Sequence, residues 1–198
     1  MRGSEINLKA LSECERGYLF GIFEGDGYKI YDKKSRHYHI EFYLNSEKDK
    51  EIIQFVIFLL KKINLKPATY KDKRFNCLRI RVYSKSLFNL INKNIKLNDK
   101  NKEFDIGFIS GLIDSEGCVN CNKNFIMIIN TNKKILDDCK DFLNSIGIKS
   151  SINLRKPSFK DKKNSYRMYI SVSFKRLKHL SKKAGKLPSS GVDISQQN

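Results

Sequence analysis

No segment of this chain is apolar enough to cross a bilayer. The longest apolar run, Ile52 to Leu60, is broken by Gln54, whereas a spanning helix needs about 20 apolar residues. Met1-Arg2-Gly3-Ser4-Glu5 lacks the apolar core of a secretory signal, so an intracellular setting is expected, either a prokaryotic cytoplasm or an organelle matrix. Cysteine is sparse: five of them, an odd number scattered over 198 residues, do not form a disulfide framework. Cys118 and Cys121 form a CxxC without the second ligand pair of a structural zinc site. A phosphate-cradling loop is missing too, because Gly25-Asp26-Gly27 closes a helical pattern instead of opening one and no Lys-Ser/Thr follows. His37, His39 and His179 have no Cys or Ser at catalytic spacing and read as strand or surface residues.

Acidic residues are the other shortage. Asp and Glu number 21 against 39 Lys and Arg, a formal charge of +18. Residues 1–100 hold 21 basic and 12 acidic side chains and residues 101–198 hold 18 and 9, so each part carries +9. A basic tail would concentrate the charge at one end. Spread evenly over sequence that is 40% hydrophobic, enough for packed cores, it points to a polyanionic partner. A membrane surface fits least, since no basic amphipathic helix with an aromatic face is present. DNA or RNA is the expected partner.

The chain repeats itself. Tyr18-Leu19-Phe20-Gly21-Ile22-Phe23-Glu24-Gly25-Asp26-Gly27 returns 90 residues later as Phe108-Ile109-Ser110-Gly111-Leu112-Ile113-Asp114-Ser115-Glu116-Gly117. Leu59 to Lys66 matches Phe142 to Lys149, Arg79 to Val82 matches the alternation from Arg167 to Val172, and Ile95-Lys96-Leu97 matches Gly185-Lys186-Leu187. The join falls near Asn98 to Glu103, giving halves 1–98 and 99–187 and a polar tail, 188–198, expected to be disordered. Within each copy the motif has helical spacing and stops at an acid followed by Gly. In Tyr38 to Asn45, Ile40, Phe42 and Leu44 alternate with His39, Glu41, Tyr43 and Asn45. Helices are expected over Asp49 to Ile63, Lys133 to Ile146 and Lys85 to Ile95, and strands near Thr69 to Lys71 and over Leu78 to Tyr83. The order is αββαββα, twice: an α+β fold whose antiparallel sheets carry helices on one side and leave a basic side open.

Gly21 and Gly25, like Gly111 and Ser115, are four apart and leave a smooth strip on one helix face. Two such helices could pack backbone to backbone. If they run parallel, Asp26 and Glu116 meet where both helix dipoles disfavour negative charge. A hard divalent cation with oxygen ligands, such as Mg2+, would neutralise them.

The two segments, Leu-Phe-Gly-Ile-Phe-Glu-Gly-Asp-Gly and Ile-Ser-Gly-Leu-Ile-Asp-Ser-Glu-Gly, resemble the paired motifs of the LAGLIDADG homing endonucleases in their single-chain form. The resemblance covers roughly residues 15 to 187. It implies a monomer with internal pseudo-twofold symmetry, a central two-helix interface, and saddle-shaped sheets in the major groove of a long double-stranded DNA target. It also implies hydrolysis of one phosphodiester per strand with two or more Mg2+ ions, Mn2+ substituting, and short 3′ overhangs. Asp26 and Glu116 then correspond to the metal-binding carboxylates, with backbone carbonyls of Gly25 and Ser115 beside them. A polar residue usual at the end of the second strand is met by Asn45 and Asn130. Lys96 and Lys186 are symmetric candidates for the basic residue near each scissile phosphate; Val119 follows Glu116 where a lysine could have stood.

For DNA contact, alternation selects Tyr28, Ile30 and Asp32 on the first strand, and Asn120 and Asn122 on its counterpart. Arg36, His39, Glu41 and Tyr43 follow, then Tyr70, Arg79, Arg81 and Tyr83, and in the second half Asn153, Arg155, Arg167 and Tyr169. Arg pairs with guanine, Asn with adenine, and Tyr packs on sugar or thymine methyl. The loops holding Lys71, Lys73 and Arg74, and Lys160 and Lys162, are expected to clamp phosphates. A maturase acting on host intron RNA and a non-cleaving DNA-binding regulator remain alternatives on the same scaffold. Loss of a motif acid would favour either, and both acids are intact.

Overall fold

Ser12 starts the first long helix by a reciprocal cap. Its Oγ accepts from the Glu15 N–H at 3.1 Å, and Glu15 Oε2 accepts from the Ser12 N–H at 2.8 Å, which satisfies two of the N–H groups a helix start leaves without partners. The computed structural model describes residues 6–72, 75–92, 97, 101–120, 125–156 and 164–171. The first half comprises α1 (Glu13–Asp26), β1 (Gly27–Asp32), β2 (His37–Asn45), α2 (Lys50–Lys62), β3 (Ala68–Asp72), β4 (Cys77–Tyr83) and α3 (Lys85–Asn92). The second comprises α4 (Lys102–Glu116), β5 (Gly117–Asn120), β6 (Phe125–Asn130), α5 (Lys133–Ser145), β7 (Ser150–Arg155) and β8 (Ser165–Ser171). The helix expected to close the second copy falls outside the described residues. So do Lys73, Arg74, Lys96, Asn122, Lys160, Lys162, Lys186 and the polar tail.

Each half folds one four-stranded antiparallel sheet, ordered β1-β2-β4-β3 and β5-β6-β8-β7. α2 and α5 end alike, at the sequence match between residues 59–66 and 142–149. The Leu65 N–H reaches Leu60 O at 3.0 Å and the Ile148 N–H reaches Leu143 O at 2.8 Å. Asn64 (φ 63) and Gly147 (φ 78) take the left-handed conformation between, as this helix stop requires.

The helices cover one side of each sheet. Ile40, Phe42, Leu44, Ile80 and Val82 pack with α2 residues Val56, Leu59 and Leu60 in the first core, and Ile126, Ile128, Met168 and Ile170 pack with Leu136, Phe142 and Leu143 in the second. α1 serves both cores, Tyr18, Leu19 and Ile22 entering the first and Phe20 the second, while Phe108, Ile109, Leu112 and Ile113 of α4 enter the second.

Between the cores α1 and α4 meet at their backbones. A Cβ at Gly17 would overlap Phe104 O, and at Gly21, Phe108 O; reciprocally, one at Gly107 would overlap Cys14 O and one at Gly111, Tyr18 O. Each of these pairs maps onto its counterpart by the 90-residue offset, a self-complementary twofold contact. Contacting positions rise together along both helices, so they run parallel. The glycine strip is one turn longer than the motif match alone suggests.

The motif helices stop at an acid followed by Gly27 or Gly117, where expected. Both glycines take extended conformations, φ −93 and −85, not the left-handed one. Glycine is required there because a Cβ would strike Phe23 O or Ile113 O, and the chain passes from helix to strand with no intervening loop.

Two substitutions on one helix separate backbone contact from side-chain contact. Gly21→Ala meets the Phe108 carbonyl and Leu112 N, which cannot move without the helix, and is expected to cost about 2–4 kcal/mol. Gly25→Ala meets the Ser115 and Glu116 side chains and should cost markedly less; urea unfolding of both variants measures the difference.

Candidate active site and nucleic-acid interface

Parallel packing brings the carboxyl-terminal ends of α1 and α4 together, where Asp26 and Glu116 are the last helical residues. A Cβ on Gly25 would stand 2.8 Å from Glu116 Cγ, a measure of how close the second acid lies to the first helix. Both carboxylates are half-buried at the negative ends of their helix dipoles. Burial, then Glu116, then Asp49 push the Asp26 carboxyl up to about 7, and burial raises Glu116.

Two further acids belong to this cluster. Tyr18, fully buried, donates its hydroxyl to Asp114 Oδ2 at 2.7 Å across the helix interface. Burial raises Asp114 to about 7 against the opposing effect of that bond, and Asp49 adds to the rise. Burial also raises Glu24, partly offset by a hydrogen bond with Asn132 and by Lys29. Each motif helix thus turns one acid toward the opposite half: Glu24 to Asn132 before α5, Asp114 toward Asp49 before α2. The available signal was an acid at the same motif position in both copies.

Among the described residues no group of three or more His, Cys, Asp or Glu side chains is arranged to hold a metal ion. The two terminal carboxylates nevertheless suit a hard divalent cation. They are hard oxygen donors disfavoured in their charged form by burial and proximity, and a dication would reverse that. Backbone carbonyls of Gly25 and Ser115 adjoin them in sequence. Ser115 Oγ itself bonds Gly111 O at 3.1 Å and Leu112 O at 3.2 Å.

Strand register fixes which residues share the side away from the helices, because directly opposed residues point the same way. In the first sheet the rows run Tyr28–Glu41–Arg81–Ala68, Ile30–His39–Tyr83, Tyr43–Arg79–Tyr70, Asp32–His37 and Asn45–Cys77–Asp72. In the second they run Cys118–Met127–Tyr169–Ser151, Asn120–Phe125–Ser171 and Ile129–Arg167–Asn153, with Arg155 opposite Ser165. Tyr28, Ile30, Tyr43, Tyr70 and Tyr83 are exposed. The guanidinium groups of Arg79 and Arg81 stand over the Tyr70 ring, 4.9 and 5.4 Å from its centroid. Burial and then Arg81 lower the His39 pKa, whose ring lies against Tyr83 at 4.7 Å. Arg36 occupies the β1–β2 turn with φ 56.

Four expectations need correction. Glu41 lies on the open side but is buried, held by the Tyr43 hydroxyl and Arg81 Nε. Each oxygen faces one of these partners and the residue is buried, which keeps it from the surface a base would reach. Lys71 is not in a loop: it lies in β3 opposite Leu78, in the register of the helix-covered side. Asn45 and Asn130 are not counterparts. Gly27 pairs with Phe42 and Gly117 with Ile128, so the counterpart of Asn45 is Thr131, while Asn130, opposite Tyr166, has the helix-side register. Both Asn oxygens also accept backbone N–H groups: Asn45 Oδ1 from Glu47 at 3.0 Å and Lys48 at 2.9 Å, Asn130 Oδ1 from Asn132 at 2.7 Å. They tie off turns.

Residues 13–96 and 103–184 each match the model of the LAGLIDADG-like domain. The chain is 30% identical over 149 residues to an uncharacterized protein of Methanocaldococcus jannaschii, 72% of this chain and 52% of that one, and 30% identical over 143 residues to homing endonuclease I-DmoI of Desulfurococcus mucosus, 69% and 73%. It spans little more than half of two Methanocaldococcus jannaschii relatives it matches, 52% and 57%. A crystal structure of I-DmoI in complex with DNA and Ca superposes with a TM-score of 0.65 at 27% identity over 86% of both chains, and one with DNA and Mn with 0.65 at 25% identity over 88% and 98%.

The raised Asp26 carboxyl gives a signed pH dependence. An unfolded chain releases this proton near the ordinary value of 3.8, the folded one at about 7. Between these the folded state binds more protons, so this group's contribution to stability falls as pH rises through that window and is constant above it. Asp26→Asn is expected to stabilise the fold by about 1–2 kcal/mol at pH 8, allowing for solvent screening of a half-buried group, and negligibly at pH 3. Denaturant melts at the two pH values check both sign and window.

Proposed function

The chain belongs to the LAGLIDADG-like domain family with two copies of the domain in one polypeptide, and from that premise we propose that it is a site-specific double-strand DNA endonuclease of the homing type. The observation that carries this reading is the meeting of two intact acids, Asp26 and Glu116, at the ends of the helices joining two open-sided sheets. A regulator that only bound DNA would gain nothing from a half-buried, mutually repelling carboxylate pair, which costs stability.

The basic halves attract the DNA backbone, and the open sheet sides lie along the major groove. Tyr28, Arg79, Arg81 and Tyr70 face one half-site, and Asn120, Asn153, Arg155, Arg167 and Tyr169 the other. Asp26 and Glu116, with the carbonyls of Gly25 and Ser115, would hold divalent ions, Mg2+ first. Such ions, when bound, supply Lewis acidity at the phosphate and lower the pKa of an attacking water. Asp26 and Glu116 confine that chemistry to one phosphodiester per strand, and the cuts are staggered to leave short 3′ overhangs. Because halves 1–98 and 99–187 each contribute an acid, one chain supplies both acids of the site and acts as a monomer, working inside the cell wherever its target DNA resides.

The test is incubation with randomised or genomic DNA in Mg2+ and, separately, in Ca2+. Cuts at one long site in Mg2+ are expected. Asp26→Asn and Glu116→Gln should each lower the double-strand rate by about 100-fold or more, the scale of removing one transition-state stabiliser, with nicks persisting. Binding without cutting in Mg2+ at every salt tested would defeat the proposal. A DNA-free check is the melting temperature at pH 8: Mg2+ should raise it for the unsubstituted chain and leave it unmoved when both acids are replaced.

A further inference from the structure

An acid on a surface that faces phosphates weakens binding, so Glu41 requires an explanation. It is 3% exposed and lies in the central row of the first open side, between Tyr28 and Arg81. One carboxylate oxygen takes the Arg81 Nε–H and the other the Tyr43 hydroxyl. The Arg81 guanidinium also stands over Tyr70, whose ring carries Arg79 as well. One carboxylate and one ring thus join two guanidinium groups and a phenol on the open side of a single sheet, with Tyr83 also bonded to Arg81 and Arg79 to Tyr43. The second sheet lacks this device. Register places Met127 where Glu41 stands, Tyr169 where Arg81 stands and Ile129 where Tyr43 stands. Arg167, the counterpart of Arg79, has a buried Nε without a hydrogen-bond partner among the described residues.

We infer that Glu41 is a positioning residue: it touches no base, but orients Arg81 and Tyr43 so that the first sheet discriminates bases more sharply than the second. A long guanidinium held in one rotamer pairs bidentately with a guanine edge without first losing its freedom, whereas a free one settles on the nearest phosphate. The inference rests on the DNA-reading role proposed above and deepens it.

The experiment uses the full chain, Glu41→Gln and Glu41→Ala, each titrated in Ca2+ against the selected target and a set of its single-base-pair variants. Glu41→Gln keeps the side-chain shape should Glu41→Ala fail to fold. The expected result is a loss of discrimination of roughly tenfold at the base pairs beneath Arg81, with discrimination in the other half-site and affinity for unrelated DNA undiminished. Unchanged discrimination, an equal loss in both half-sites, or a uniform loss of affinity for all sequences would each overturn it. The guanidinium is also read without DNA, in 15N-edited spectra of the free protein. The Arg81 Nε–H should exchange slowly with water and lose that protection in Glu41→Gln. Rapid exchange in the unsubstituted chain overturns the inference; slow exchange in a chain that selects no target would instead overturn the endonuclease reading and leave the Glu41 clamp standing.

Discussion

The contact on which this structure depends is between two peptide backbones. Where α1 crosses α4, no side chain intervenes: carbonyl oxygens of each helix occupy the space a Cβ would take on a glycine of the other. Helices of ordinary composition keep their axes about 8–10 Å apart, and the glycine strips remove the atoms that enforce such a spacing. This approach brings Asp26 and Glu116 to one place. It also aligns two dipoles side by side with their negative ends together, an arrangement both half-buried acids make worse. The two hydrophobic cores, sharing residues of α1, hold the helices against that repulsion. Strain of this kind persists only where the surrounding structure over-determines it.

Around this symmetric axis the two halves diverge. Backbone topology, helix stops and glycine contacts repeat faithfully. The open sides do not: the first mixes Arg, Tyr, His and a buried Glu, the second sets Phe125, Met127 and Ile129 along its central strand. The parts that must match for the helices to pack have stayed matched. The parts that face outward have diverged.

Much of this was legible in the sequence because it rests on period and repetition. The 90-residue offset exposed the two copies, alternation in Tyr38 to Asn45 gave β2 its faces, and the acid-Gly pairs marked where both motif helices end. Pairing of elements far apart in sequence was less legible. Glu41 alternates like an outward residue, and only the positions of Arg81, forty residues on, and Tyr43 show that it is enclosed. Asn130 seemed to answer Asn45 by its place at the end of a strand, but register is set by cross-strand partners, and one residue of slip reverses the face. Asp114 escaped attention because its partner Tyr18 lies on the other helix. Local pattern locates elements; which side chains meet is decided by contacts the pattern does not contain.

The loop-free passage at Gly27 and Gly117 has a mechanical consequence. Only one residue separates Asp26, at the end of a rigid helix, from Tyr28 on the open side of a strand, and one separates Glu116 from Cys118. No hinge stands between the groups that would touch a base and those that would act on a phosphate. On the proposed reading, a displacement imposed on β1 or β5 by an ill-fitting partner would pass along the backbone to the carboxylates as by a stiff lever, making recognition and chemistry parts of a single solid piece.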